Sequence, residues 1–276
     1  MKRERCRILD NRQVAPGHYV LRLASSTIGQ AARPGAFVQV LASDASDPLL
    51  GRPFSFLTAT RRDFSILYHV VGRGTKLLAQ AKKSDELWVT GPFGRPFSYE
   101  ARRREDRIVN SAVLVGGGVG IPPLYHLAQY LLKPGSGIPK ANTHIFLGAR
   151  HKSFLLCEKD FRALGLTPAL STDDGSKGKR GLVTGPLEAF LMKANPMRTR
   201  VYSCGPTPML AAVSALAEKY NVACEVAVEV PMACGFGACL GCAIKVKGDP
   251  SADMPYRFAI ACCEGPVFNG HEVCWS

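Results

Sequence analysis

The chain has 276 residues, 46% of them hydrophobic, and a formal net charge of +13 at pH 7. This length suits two domains with room for a small third. The basic residues form short runs such as 102–104 and 177–180, without a nucleic-acid-binding motif or interleaved aromatic residues, so no nucleic-acid partner is expected. The positive charge instead suits an anionic dinucleotide or an acidic protein partner.

The sequence contains no apolar stretch near the ~18–20 residues that cross a membrane. Its charged start, residues 1–5, differs from a signal peptide. We therefore expect a cytoplasmic protein that has no membrane partner. In that compartment the ten cysteines are expected to be metal ligands or free thiols rather than disulfides.

Residues 1–103 are predicted to form an antiparallel β-barrel. Short stretches of alternating or apolar residues, separated by Gly and Pro, predict strands. These strands cover residues 18–23, 36–41, 64–71 and 87–90. Many short strands with such turns are typical of a small barrel.

Two stretches of this barrel carry residues suited to a flavin nucleotide. Arg52-Pro53-Phe54-Ser55 offers a guanidinium for a pyrophosphate and a hydroxyl for the flavin edge. Residues 72–78, which include Gly74 and Thr75, predict a glycine turn entering a helix whose free N–H groups could hold phosphate. Taken alone, the first could be an ordinary strand edge and the second an ordinary helix cap.

Residues 104–224 are predicted to form a Rossmann-like parallel α/β domain. An apolar rise from Ile108 to Val115 precedes a glycine turn, two prolines and an apolar helix over 124–132. The turn contains Gly116, Gly117, Gly118 and Gly120, but Ile121 takes the last place of a strict G-x-G-x-x-G. An α/β domain without a nucleotide is the alternative.

Further motifs follow later strands of this domain. Residues 143–150 predict a strand, and Asp173 and Asp174 come after another strand end. Cys204-Gly205-Pro206 follows the strand at 200–203 and precedes a helix that reaches Tyr220. Ligands of such sheets bind at the carboxyl ends of the strands, which is where all these motifs are expected.

Residues 225–276 are predicted to form a small lobe around clustered cysteines. Cys234, Cys239 and Cys242 have the C-x4-C-x2-C spacing of plant-type [2Fe–2S] ligation. A fourth thiolate could come from Cys262, Cys263 or Cys274. A structural zinc site is the alternative, although zinc sites usually pair two short C-x2-C spacings, and inert core cysteines are a further one.

Together these motifs resemble the ferredoxin–NADP reductase superfamily. The segments T-D-D-G-S, P-M-A-C-G-F-G-A-C-L-G-C and C-E-G-P-V-F narrow the resemblance to the electron-transfer subunits of class 1B dihydroorotate dehydrogenase, and it covers the whole chain. The resemblance implies FAD on the barrel, NAD on the α/β domain and a [2Fe–2S] cluster in the C-terminal lobe.

The resemblance also implies particular site residues. The flavin motif corresponds to residues 52–55, with Leu67, Tyr68, His69, Gly74 and Thr75 completing the site. The fourth cluster ligand corresponds to Cys262, but Cys263 stands where the family usually has another residue, which leaves this assignment open. The gap before Cys262 is longer than usual, and we interpret residues 247–255 as a hairpin extension.

The implied function is electron transfer in pyrimidine biosynthesis. An FMN-containing catalytic subunit would oxidise dihydroorotate, and electrons would pass through the cluster and FAD to NAD⁺, in a heterotetramer of two catalytic and two electron-transfer subunits. Two alternatives remain. One is the small subunit of an NADH-dependent ferredoxin:NADP oxidoreductase or another iron–sulfur flavoprotein reductase, and the other is a non-enzymatic redox sensor.

Two roles in the α/β domain stay open at this stage. Asp173 and Asp174 favour NAD, because carboxylates repel a 2′-phosphate and accept from a 2′-hydroxyl. They could instead only shape a turn, and four basic residues close in sequence could serve a phosphate, namely Arg150, Lys177, Lys179 and Arg180. Cys204 is either close to the stacked nicotinamide and flavin or a buried core thiol.

Overall fold

The computed structural model describes residues 1–99, 109–134, 138–249, 251 and 254–275. The basic run 102–104, the predicted boundary between residues 103 and 104, and Ile108 lie outside these ranges.

The N-terminal region is a closed six-stranded antiparallel barrel with strand order β1-β2-β5-β4-β3-β6, as predicted. Alternate residues fill its interior, among them Leu21, Phe56 and Ile66, which are fully buried. The strands are β1 (Lys2–Ala15), β2 (His18–Ala24), β3 (Phe37–Leu41), β4 (Arg52–Ala59), β5 (Asp63–His69) and β6 (Glu86–Phe93).

Two helices accompany the barrel. The sequence did not predict α1 (Ser26–Ala31), whose N-cap hydroxyl on Ser25 accepts from Ile28 N–H at 2.9 Å. The predicted glycine turn does enter a helix, α2 (Arg73–Gln80). Thr75 Oγ1 accepts from the N–H groups of Val71 and Gly72, so this hydroxyl holds the turn in place.

The second region is a seven-stranded sheet with order β10-β9-β8-β7-β11-β12-β15. Its pairs are parallel except β12 with β15. Its strands are β7 (Ser111–Gly117), β8 (Thr143–Ala149), β9 (Ala169–Thr172), β10 (Lys179–Arg180), β11 (Thr199–Cys204), β12 (Ala223–Ala227) and β15 (Val267–Asn269). The helices are α3 (Ile121–Leu131), α4 (Glu158–Ala163), α5 (Thr184–Leu191) and α6 (Thr207–Lys219). The predicted parallel α/β architecture is confirmed.

The C-terminal region returns to this sheet. Strands β13 (Ala243–Lys247) and β14 (Tyr256–Ile260) form an antiparallel hairpin. The chain then enters β15, which pairs with β12 at the edge of the seven-stranded sheet. Strand β12 itself runs across the predicted boundary between residues 224 and 225. The proposed extension 247–255 occupies the turn of the hairpin, where Pro250, Ala252 and Asp253 lie outside the described residues.

Helix α3 joins the two larger regions because it packs against β4 of the barrel. Its apolar side chains share one core with barrel residues such as Leu57 and Leu67. Among the described residues, no helix is long and apolar enough to cross a membrane.

Candidate functional site

The glycine motifs of the α/β domain meet at one edge of the sheet. In the register of β7 and β11, Gly116 lies opposite Cys204. A Cβ on Gly120 would lie 2.4 Å from Gly205 N, so only glycine allows the two turns to pack together. Gly118 has a φ of 56°, and in the described part of the chain nothing lies within 4 Å of its Cβ position. The turn therefore presents an open backbone surface that a dinucleotide could approach.

Cys204 ends strand β11 behind this surface. Its side chain is 2% exposed. Burial, with a smaller effect from the nearby Glu229 carboxylate, raises the pKa of the Cys204 thiol well above its ordinary value. The residue is therefore a neutral thiol in the core, directly beneath the Gly205-Pro206 turn.

The two predicted carboxylates lie beside the neighbouring strand end. Asp173 N–H donates to Ala149 O at 3.1 Å, which holds the turn next to β8. Asp174 Oδ1 accepts from Ser176 N–H at 3.0 Å, and this contact holds the pKa of Asp174 below its ordinary value. The Asp173 side chain is exposed and is not used to close the turn.

The basic residues close to this turn differ in their surroundings. Lys177 Nζ lies 2.5 Å from Glu158 Oε2, so a carboxylate already neutralises it. The Arg180 side chain packs along Gly175, 3.2 Å from the position of a Cβ there. A 2′-phosphate at this edge would meet Asp174 and a paired Lys177, and Arg150, Lys179 and Arg180 are exposed nearby.

The two flavin motifs come together in the barrel. The Arg52 guanidinium lies against Gly74, whose Cβ would be 2.3 Å from Arg52 Nε. The arginine that starts β4 therefore sits at the N-terminal turn of α2, where free N–H groups and positive charge converge. Pro53, Phe54 and Ser55 follow along β4, and Ser55 pairs with Phe37 of β3.

Strand β5 contributes its predicted residues to two faces. Tyr68 points into the barrel, where it is 1% exposed and its hydroxyl donates to Asn11 Oδ1 at 3.2 Å. Burial raises the pKa of Tyr68 far above its ordinary value. A cofactor outside the barrel would therefore meet the main chain of Tyr68 rather than its ring. His69 is exposed and stacks on His18 with ring centroids 4.3 Å apart.

The cysteines form two pairs. Cys239 N–H donates to Cys234 Sγ at 3.4 Å, and Cys262 N–H donates to Cys242 Sγ at 3.4 Å. The described residues hold no group of three or more His, Cys, Asp or Glu side chains that could bind a single metal ion. A zinc site gathers four ligands around one ion, whereas a two-iron cluster takes four thiolates over two irons. The four cysteines are linked two by two through main-chain N–H groups, and Cys262 Sγ also lies 3.7 Å from Cys263 Sγ.

The thiols of the two pairs differ in acidity. Although burial would raise it, the N–H groups of Cys239 and Phe236 lower the pKa of Cys234 to about 6. Burial, together with the adjacent thiols of Cys242 and Cys263, raises the pKa of Cys262. A metal that takes Cys262 as a thiolate therefore displaces its proton.

The cysteine segment packs on the barrel. Arg95 N–H donates to Gly265 O at 2.5 Å, and a Cβ on Gly94 would lie 2.5 Å from Pro266. The loop that carries Cys234 also reaches the barrel, since Gly235 lies against Gln39 of β3. The motifs for flavin and cluster are thus adjacent.

The sequence did not identify Gln39 or His18 as site residues. Both acquire their positions from strand pairing: Gln39 lies opposite Pro53, and His18 lies opposite His69. No local motif surrounds either residue, so only the register of the barrel reveals them.

Two family models match the chain. Residues 229–274 match the iron-sulfur cluster binding domain of dihydroorotate dehydrogenase B. Residues 114–215 match the oxidoreductase NAD-binding domain. The iron–sulfur interpretation of the cysteine segment and the NAD interpretation of the α/β domain are confirmed.

Several curated relatives match over nearly the full length. The dihydroorotate dehydrogenase B (NAD(+)) electron transfer subunits of Geobacillus kaustophilus (strain HTA426) and Bacillus caldolyticus are each 38% identical over 274 residues, which is 98% of this chain and 98% of theirs. The subunit of the same name from Fusobacterium nucleatum subsp. nucleatum is 35% identical over 276 residues, 99% of both chains.

Solved structures share the fold. The structure of an NADH-dependent reduced ferredoxin-NADP oxidoreductase superposes with a TM-score of 0.80 and 28% identity, covering 98% of this chain and 90% of that one. The cytochrome b5 reductase domain of Ulva prolifera nitrate reductase has a TM-score of 0.66 and 18% identity, covering 79% and 93%. The second likeness concerns the fold alone.

Proposed function

Because the chain belongs to the family of dihydroorotate dehydrogenase B electron transfer subunits, we propose that its motifs form one continuous path between NAD and a catalytic partner. The chain is an NAD-dependent oxidoreductase subunit that uses FAD and a [2Fe–2S] cluster. Flavin supplies the step between hydride chemistry at nicotinamide and single-electron chemistry at the cluster.

The barrel binds and orients FAD. Arg52 makes a charge-assisted contact with the pyrophosphate, and the N–H groups at Gly74 and Thr75 support it. The contact of the guanidinium with Gly74 supports this role, because it concentrates the donors of both motifs at one place. Pro53, Ser55, Leu67 and His69 line the flavin on the outer face of β4 and β5, whereas Phe54 and Tyr68 point into the barrel and offer only their main chain there.

The sheet edge binds NAD. The backbone of residues 116–120 and the adjacent Gly205-Pro206 turn would hold its pyrophosphate. Asp173 accepts from the adenosine ribose hydroxyls, since its carboxylate is exposed at the end of β9. Cys204, as a buried neutral thiol, supports the turn from below.

The cluster is held by Cys234, Cys239, Cys242 and Cys262. The observation that carries this assignment is the pairing of N–H groups and sulfurs, Cys239 with Cys234 and Cys262 with Cys242. Cys263 is exposed and sits outside the second pair, although its sulfur is 3.7 Å from Cys262 Sγ.

The catalytic partner is a dihydroorotate dehydrogenase subunit that contains FMN and oxidises dihydroorotate to orotate. Two copies of each subunit form a heterotetramer. The name shared by the full-length relatives supports this partner.

One experiment tests the proposal. The FMN-containing protein that copurifies with the chain is first identified. The two proteins are then co-expressed, and the reduction of NAD⁺ by dihydroorotate is measured with their complex. We expect turnover by the complex and none by the electron-transfer chain alone, which would still pass electrons from NADH to an artificial dye. Failure of a cofactor-replete complex to use dihydroorotate would contradict the proposal.

The second candidate is a subunit of an NADH-dependent ferredoxin–NADP oxidoreductase. The TM-score of 0.80 over 98% of the chain favours it. This candidate ranks second because the chain is 38% identical to a dihydroorotate dehydrogenase electron transfer subunit but 28% identical to this oxidoreductase. Reduction of NADP⁺ by a ferredoxin in the copurified complex, without activity on dihydroorotate, would select this alternative.

A further inference from the structure

Gln39 lies on the outer face of the barrel beside the flavin motif. Its neighbours Val38 and Val40 belong to the barrel core, so the alternation of β3 points Gln39 outward. In the register of β3 and β4 it lies directly opposite Pro53. A residue at this position reaches the surface on which the flavin is expected.

The Gln39 side chain is buried without a protein partner. The residue is 6% exposed, and neither Oε1 nor Nε2 has a hydrogen-bond partner in the described part of the chain. A buried amide that is left unsatisfied loses the hydrogen bonds it makes with water in the unfolded chain, which destabilises the fold. Buried polar groups are nearly always paired, so these two atoms require a partner that the polypeptide does not supply.

Two glycines form the slot around this amide. A Cβ on Gly51, next to Arg52 of the flavin motif, would lie 2.9 Å from Gln39 Oε1. A Cβ on Gly235, next to Cys234 of the cluster loop, would lie 3.0 Å from Gln39 Nε2. Any side chain at either position would push the amide aside. The amide therefore spans the contact between the flavin strand and the cluster loop, and because no group within the residues that the structure describes holds either of its polar atoms, Nε2 can be turned toward the cluster side.

We propose that Gln39 is a tuning residue for electron transfer between the two cofactors, and that its Nε2–H donates a hydrogen bond to the sulfur ligands of the cluster. The inference rests on the proposed function, since it requires both cofactors to be bound. A donor close to the sulfurs stabilises the reduced cluster, which carries more negative charge, and so raises its reduction potential.

The test uses the full chain purified with its cofactors. Gln39→Leu and Gln39→Met both remove the donor, and Met keeps the unbranched shape of Gln. Gln13→Leu is the matched control, because Gln13 is an exposed glutamine on β1 of the same barrel. Iron, sulfide and FAD contents are measured first, and the midpoint potential of the cluster is then determined by a redox titration followed by electron paramagnetic resonance.

We expect both Gln39 variants to retain the cofactors and to show a lower cluster potential. The equilibrium constant for one-electron reduction should fall about three- to tenfold, where tenfold corresponds to about 59 mV for one electron. The Gln13 variant should match the unaltered protein.

Three outcomes separate the inference from the proposed function. Unchanged potentials in cofactor-replete Gln39→Leu and Gln39→Met would overturn the tuning role. Loss of the cluster or FAD from both variants would also overturn it, because Gln39 would then be needed for binding. Absence of cluster and FAD from the unaltered protein would instead contradict the proposed function itself.

Discussion

Cys262 and Cys263 are adjacent residues in different surroundings. Cys262 is 2% exposed, and its N–H donates to Cys242 Sγ. Cys263 is exposed, and its sulfur lies 2.7 Å from the position of a Cβ on Gly237, so it faces the loop between Cys234 and Cys239. The family resemblance favours Cys262 but leaves the assignment open, because burial of either thiol depends on the fold around it. We expect Cys262 to be the ligand because its N–H contacts Cys242 Sγ; exposure does not decide, since the predicted ligand Cys239 is exposed too.

Cysteine-to-serine variants test this assignment. Replacement of any predicted ligand, Cys234, Cys239, Cys242 or Cys262, should abolish the visible absorption of the cluster and lower the iron content. Loss of the metal should also lower the stability of the C-terminal segment, since metal binding contributes folding free energy. Cys263→Ser and Cys274→Ser serve as controls and should keep the spectrum. A normal spectrum from Cys262→Ser would move the fourth ligand to Cys263.

Arg52→Ala tests the flavin site. The variant loses a charge-assisted bond worth about 1.5–3 kcal/mol, so FAD should bind roughly ten- to hundredfold more weakly. Equilibrium dialysis of the apoprotein with FAD measures this change. Arg12→Ala is the control, because Arg12 is an exposed barrel arginine paired with Asp10. Unchanged FAD affinity in Arg52→Ala would refute the assignment.

Helix α3 carries a buried histidine into its contact with the barrel. His126 is 1% exposed, its ring faces Phe56 of β4 and Tyr130, and neither ring nitrogen has a partner within the described ranges. Burial, with smaller effects from Lys133 and Arg33, lowers the pKa of His126 to about 3. The histidine is therefore neutral in the folded protein at any physiological pH.

This histidine should make stability depend on pH. Its pKa is about 3 when folded and near 6.5 when unfolded, so the unfolded chain binds an extra proton between these values. Above pH 6.5 the ring is neutral in both states, so its protonation does not affect stability. Between pH 7 and pH 5 the unfolded chain takes up a proton that the folded protein does not, so the free energy of unfolding should fall by about 2 kcal/mol. Urea unfolding of the protein and of His126→Phe at both pH values measures this. An equal pH dependence in the two proteins would exclude His126 as the cause.

The elements differ in how far local sequence patterns predict them. Glycine turns at strand ends, prolines at the start of α3 and the alternation of β2 and β5 are local signals, and the structure confirms these elements. Strand β1 was missed because its outward residues are charged and only Cys6 and Ile8 are fully buried along it. The place of β15 in the larger sheet depends on pairing between distant segments, which no short pattern encodes.

At the scale of the whole molecule, both basic and acidic side chains lie around the edge of the α/β sheet where the nucleotide is expected. The chain carries +13 overall, yet Lys177 is paired with Glu158 at the edge where the adenosine ribose is expected. The exposed Asp173 and the hydrogen-bonded Asp174 lie on the same turn. General positive charge can attract either dinucleotide, so we expect any preference between them to depend on local groups such as these carboxylates.

We therefore predict that NADH reduces the flavin with a kcat/KM at least about tenfold higher than that of NADPH, the effect of ~1.4 kcal/mol. Replacing both Asp173 and Asp174 by Asn should reduce the preference for NADH over NADPH, because it removes the repulsion of a 2′-phosphate. Stopped-flow reduction of the bound flavin by each nucleotide measures both effects. Equal rates, or faster reduction by NADPH, would favour the ferredoxin–NADP oxidoreductase alternative.

The antiparallel pairing of β15 with β12 also constrains how the protein is made. Synthesis proceeds from the N-terminus, so every predicted cluster ligand leaves the ribosome before the strand that closes the sheet edge. Residues 228–266 connect β12 and β15, which are neighbouring strands of one sheet. The two ends of this long connection come together only when residues 267–269 pair with β12. Closing such a loop costs conformational entropy that the bound cluster and the strand pairing must offset together. The cluster segment is therefore joined to the nucleotide sheet only after all four predicted cluster ligands have been synthesised.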